Sequence, residues 1–141
     1  MVYITSRKFV LPKSPEEMAG QQWFNLWTKR LWPYCEIAMG DILYWYESPS
    51  HSIIWKSRVR RVEQFKYTSK AQVAQRLKSI SGAFDEQDEY FKEGPHQGYC
   101  LAYSIEPLER LGLPRPEGFR FAQIGWMRFQ AVRNQWPELG H

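Results

Sequence analysis

Residues 52–66, SIIWKSRVRRVEQFK, alternate two kinds of side chain. Successive side chains of an extended chain point to opposite faces, so Trp55, Ser57 and Val59 share one face and Lys56, Arg58 and Arg60 the other. A segment of this length and pattern predicts a long strand or a bent strand pair, with a cationic row along one face of its sheet. Its nearest partner is legible just upstream. Met39-Gly40-Asp41 marks a turn, and ILYWYES after it reads as a strand with Leu43 and Trp45 on one face and Ile42, Tyr44 and Tyr46 on the other. That strand is apolar on both sides, which predicts cover on both. Ser48-Pro49-Ser50-His51 is a loop short enough to pair the two strands antiparallel.

The remaining elements follow from local signals. VYITSRKFV at residues 2–10 is β-branched and aromatic and reads as a first strand. Ser14 before Pro15, Glu16 and Glu17 is a helix start, with a capping hydroxyl, proline at the first turn and acids suited to the helix dipole. Met18, Trp23, Phe24, Trp27 and Leu31 extend that helix in sequence until Trp32-Pro33. Ser69 caps a second helix, KAQVAQRLKSI, closed by Ser81-Gly82, with Ala71, Val73, Ala74, Leu77 and Ile80 as its buried stripe. DEQDEYFKEG is a short helix or loop, GYCLAYSIE at residues 98–106 a strand, and residues 107–112 one helical turn. FRFAQI and GWMRF are the last structured pieces, and residues 130–141 a short helix or a tail. Short antiparallel connections with helices set between them give the α+β class, built on a small, curled or closed sheet in one domain spanning residues 1–141.

Composition narrows the chemistry. Cys35 and Cys100 stand alone, without partners at metal-ligand spacing, so two reduced, buried thiols are expected and no metal site or cofactor. No apolar run approaches the ~18 residues of a membrane span, and MVYITSRKF has no apolar signal region; the expected compartment is the cytoplasm. A net charge of +4 suits an anionic partner, and basic residues concentrate between 51 and 80. Nucleotide-binding glycine motifs, HExxH, GxSxG and CxxC are all missing, so no catalytic residues are assigned.

Rings are the stronger signal. Trp23, Trp27, Trp32, Tyr34, Trp45, Tyr46 and Trp55 fall within three neighbouring elements, more rings than a core of this size needs. A flat base stacks well between such rings. The expected ligand pocket draws on Trp23, Trp27, Trp45, Tyr46 and Trp55, with Ser48 and His51 supplying hydrogen bonds to a base edge. Lys56, Arg58 and Arg60 are the expected phosphate contacts. A protein-docking surface made of exposed rings is the competing use of the same residues.

These segments resemble a known family. QQWFNLW, then Gly40-Asp41 opening an aromatic strand that ends Tyr46-Glu47-Ser48, then IIWKSRVRRVEQF, is similar to the EVE domain of the PUA-like superfamily. The resemblance implies a small mixed β-barrel flanked by helices that reads a modified or flipped-out base of DNA or RNA in an aromatic cage, alone or with a recruited effector enzyme. The related ASCH branch implies instead a hydrolase acting on modified nucleosides or RNA. For it Lys56, Ser48 and Glu47 or Glu63 are the corresponding candidates.

Overall fold

The computed structural model describes residues 1–80 and 84–139. In chain order its elements are β1 (Val2–Arg7), α1 (Pro15–Gly20), β2 (Trp23–Trp27), β3 (Ile42–Glu47), β4 (Ser52–Tyr67), α2 (Lys70–Ile80), α3 (Glu89–Glu93), β5 (Gly98–Pro114), β6 (Trp126–Arg128) and α4 (Phe129–Val132). The six strands form one mixed sheet in the order β2-β5-β4-β3-β1-β6. Only β1 and β3 pair parallel; β3, β4 and β5 form an antiparallel meander whose long central pair is β4 with β5. The expected α+β class and mixed, curled sheet are what the chain adopts.

Curvature comes from register shifts. Pairing between β4 and β5 slips at Ile53/Trp55, Lys56/Ser57 and Val59/Arg61, and that between β3 and β4 at Trp45/Tyr46. Bulges of this kind bend a strand and raise its twist, so the sheet curls into a half-barrel. Its two edge strands are tied by one side-chain hydrogen bond, from Trp126 Nε1 on β6 to Asn25 Oδ1 on β2 (3.3 Å).

Two faces of the curled sheet carry separate cores. Inside lie Tyr3, Trp23, Leu43, Trp45, Trp55, Val59, Leu101, Tyr103, Ile105 and Trp126. Outside, Ile4, Tyr44, Tyr46 and Ile53 pack against Phe119, Val132, Trp136 and Leu139 of the C-terminal segment. A third cluster joins Leu26, Tyr67 and Cys100 to α2 and α3 through Val73, Leu77 and Phe91. The alternation expected of β3, Leu43 and Trp45 against Tyr44 and Tyr46, is thus realised, with both faces covered.

Several expectations change. The helix begins where its signals stand, with Ser14 Oγ accepting from the Glu17 amide, but ends at Gly20, and Trp23 and Trp27 belong to strand β2. β2 buries both faces, Trp23 and Trp27 against the inner core and Phe24 and Leu26 against the third cluster. With apolar residues on both sides, the segment carries no clean two-residue period to set it apart from a helix. Residues 107–112 are not a helical turn but part of β5, where Pro107 sits at a register shift and its missing amide is tolerated. FRFAQI, expected as a structured piece, forms neither strand nor helix. Ala71 is exposed rather than part of the α2 stripe, and Cys35 is exposed rather than buried. Cys100 is buried, which pushes its thiol up to about 12. The expected helix stop at Ser81-Gly82 lies outside the described residues.

Two details hold the sheet's ends. Gly98 has φ +154, and a Cβ there would lie 2.1 Å from the Trp27 carbonyl oxygen, so β5 starts beside β2 only because this residue has no side chain. The loop from β2 to β3 is stapled by Glu36, whose carboxylate accepts from Tyr3 (2.9 Å), Trp32 Nε1 (2.7 Å) and Arg128 (2.8 Å). The Arg128 hydrogen bond is the main cause holding the Glu36 carboxyl below its usual range.

Candidate functional site

The inner face gathers a guanidinium, Arg7, and a carboxylate, Glu47, beside a group of rings. Tyr3, Thr5 and Arg7 alternate onto it along β1, and the parallel register sets Thr5 beside Trp45 and Arg7 beside Glu47. On the other side of β1, Thr5 pairs with Trp126 of β6; across the half-barrel, Trp23 of β2 pairs with Tyr103 of β5. Side chains from five strands therefore converge at the end of β1.

Arg7 is the centre of this group. Its guanidinium carbon lies 5.0 Å from the Trp45 ring centroid and 5.8 Å from those of Trp23 and Trp126. All three distances fall within the reach of a cation over an aromatic ring. Nη1 donates to Thr5 Oγ1 (2.5 Å) and to the Ser6 carbonyl (3.0 Å), and Nη2 donates to the Tyr103 hydroxyl. Of the five N–H groups of a guanidinium, Nε–H and one on Nη2 have no acceptor among the described residues. The side chain is half-buried, so it is anchored yet reachable.

The surrounding groups differ in how much capacity they retain. Burial pushes the Tyr103 phenol up to about 12, with Arg7 opposing, so it stays neutral and keeps its own O–H proton while accepting from Arg7. Ser57 is fully buried and spent, accepting from Trp45 Nε1 (2.8 Å) and donating to the Leu43 carbonyl (3.3 Å). Glu47, 7% exposed, uses Oε2 to accept from the Leu11 amide (2.7 Å) and has no partner on Oε1 among the described residues. At the rim Phe9, 52% exposed, lies parallel to Trp23 at 6° with centroids 6.5 Å apart.

The residues expected from sequence divide between the two faces. Trp23, Trp45 and Trp55 lie inside, and Trp27 packs half-buried against the same core. Trp55 donates from Nε1 to the Pro12 carbonyl (2.9 Å) and carries Arg110 over its ring. Tyr46 is on the outer face, stacked on Phe121 (4.2 Å), with its hydroxyl 3.5 Å from His51 Nδ1. It therefore cannot line a pocket with Trp45. His51 is exposed at φ 53 in the loop, and the half-buried Ser48 gives its amide to the Arg7 carbonyl.

The cationic row is also outside and meets acids. Arg58 pairs with Glu106 (3.1 Å), Lys56 stands opposite Glu109 with its ammonium 5.9 Å from the Tyr44 ring, and Arg60 is exposed near a register shift. The lysine, hydroxyl and carboxylate of the hydrolase alternative do not converge. Lys56 is outside and Glu47 inside, while Glu63 is held by Arg61 and Arg76 far along β4. Open surface grooves lie elsewhere, meeting at Lys66 between β4, α2 and the start of β5. The first is lined by Phe65, Lys66 and Arg76, with the Arg76 guanidinium carbon 4.8 Å from the Phe65 centroid, and the second by Lys66, Tyr67 and Tyr99; the Arg7 group differs in drawing three tryptophans around one guanidinium. Among the described residues there is no cluster of His, Cys, Asp and Glu fit to hold a metal, and no helix long and apolar enough to cross a membrane.

Arg7, Thr5, Asn25, Tyr103 and Trp126 were not singled out from sequence. The signal for Arg7 is present nonetheless: in VYITSR the alternation that buries Tyr3 and Thr5 carries an arginine onto the same face.

No family model matches the chain, and no curated protein does. Solved structures do. The ASCH protein of Zymomonas mobilis is 15% identical over 98% of this chain and 94% of its own, with a TM-score of 0.59. A serine-to-alanine and a tyrosine-to-phenylalanine variant of that protein each match at 14% identity and the same TM-score, over 97% of this chain and 94% and 96% of theirs. The neighbours are ASCH structures, so the EVE likeness of the Gly40–Ser48 segment is not what they carry. At this identity the shared property is the fold: the chain has an ASCH-like, PUA-like half-barrel.

Proposed function

We propose that this chain is a nucleic-acid-binding module that holds one base, flipped out, unpaired or modified, on the concave face of its half-barrel at Arg7. The observation that carries this reading is the Arg7 guanidinium, anchored among Trp23, Trp45 and Trp126 with two N–H donors unspent. Rings favour a flat ligand, and a fixed guanidinium favours one with acceptor atoms on its edge. Likeness to an ASCH protein supports a role connected with nucleic acid. The site moves inward from the outer row of Lys56, Arg58 and Arg60, whose charge is partly matched by acids.

Titration with nucleoside monophosphates and short single strands, followed by tryptophan fluorescence, tests the proposal. Saturable quenching is expected, and for strands an affinity that falls as salt rises, because displaced counterions accompany phosphate contacts. A folded protein that answers to none of these ligands would refute it.

A further inference from the structure

Resting on the base-binding reading, we infer that the base is guanine. Two unspent N–H donors on one anchored guanidinium call for two acceptors close together. Guanine offers O6 and N7 side by side, the edge arginine reads bidentately, whereas adenine places an N6 amine next to its N7. Phosphate also offers paired acceptors, but Glu47 argues against it. Its register partner is Arg7, it is 7% exposed, and Oε1 has no partner among the described residues. A carboxylate there repels an anion and accepts from N–H donors, which guanine carries at N1 and N2.

Phe9 is the wall that has to open for such a ligand. Phe9 and Trp23 are parallel with centroids 6.5 Å apart. A ring held between two others needs roughly 7 Å, twice a ~3.5 Å carbon contact. Phe9 is exposed and can shift to admit it. A free guanine nucleotide and an unpaired guanine in a strand present the same edge, and comparing GMP with a single strand bearing one guanine separates these sources.

The test is a fluorescence titration of the wild type and Arg7→Lys with GMP, AMP, CMP, UMP, the 7-deaza analogue of GMP, and inorganic phosphate. GMP is expected to bind roughly 10- to 100-fold tighter than AMP, and the 7-deaza analogue, lacking the N7 acceptor, to lose about tenfold or more. Arg7→Lys, which keeps the charge but not the fork, is expected to compress the preference to within about threefold while its near-ultraviolet circular dichroism stays native. If all four nucleotides bind the wild type within about threefold, the guanine inference fails and base binding stands. If phosphate competes as well as GMP, the site reads an anion and the inference fails. If no nucleotide binds, both readings fall.

Discussion

Trp45→Ala is expected to lower the unfolding free energy by about 3–5 kcal/mol, the range for emptying a buried aromatic site. Trp45 is fully buried, its ring 4.5 Å from that of Trp23 and 6.3 Å from that of Tyr103, and its Nε1 donates to the buried Ser57 hydroxyl. Alanine removes the ring, leaves a cavity beneath Arg7 and takes away a donor that Ser57 accepts from. For domains stable by about 5–15 kcal/mol, that is a large share of the total. Urea unfolding should show the transition midpoint falling steeply, while Arg58→Ala, which breaks only an exposed pair, changes stability by no more than about 1 kcal/mol. Equal midpoints for Trp45→Ala and wild type would show that the ring is not part of the core. Trp45→Ala therefore reports on folding before it reports on any ligand.

Arg7→Met should have the largest effect on binding. Methionine has a length and flexibility suited to resting against Trp23, Trp45 and Trp126, but it donates nothing. Hydrogen bonds from a charged donor contribute about 1.5–3 kcal/mol each, so losing two to the ligand should weaken nucleotide binding by about 3 kcal/mol or more, roughly 100-fold. The protein also loses the bonds from Arg7 to Thr5, Ser6 and Tyr103, so thermal unfolding of the variant should be compared with wild type first. A folded Arg7→Met protein that binds nucleotides as the wild type does would remove Arg7 from the site.

The fold was legible where one face of a strand differs from the other. In residues 52–66 the alternation of Trp55, Ser57 and Val59 with Lys56, Arg58 and Arg60 anticipates β4, and Leu43 and Trp45 against Tyr44 and Tyr46 anticipates β3. It was illegible where both faces are covered, as in WFNLW of β2, which shows no two-residue period, and where a register shift accommodates Pro107 inside β5. The proposed site was half legible for the same reason. Ring density pointed to Trp23 and Trp45, but counting rings without regard to alternation placed Tyr46 beside Trp45, and counting cations pointed to the outer row. Arg7 stands out only when β1 is read as two faces, with a single cation following Tyr3 and Thr5 inward.

The most direct test of a concave-face site is the set of indole N–H resonances in a ¹⁵N-labelled sample, assigned by single tryptophan substitutions and followed during nucleotide titration. Signals of Trp23, Trp45 and Trp126 are expected to move together and saturate, while that of Trp136, packed on the outer face, stays in place. Saturable movement of Trp136 with the three inner signals unchanged would put the ligand on the other side of the sheet and contradict the assignment of the site to Arg7.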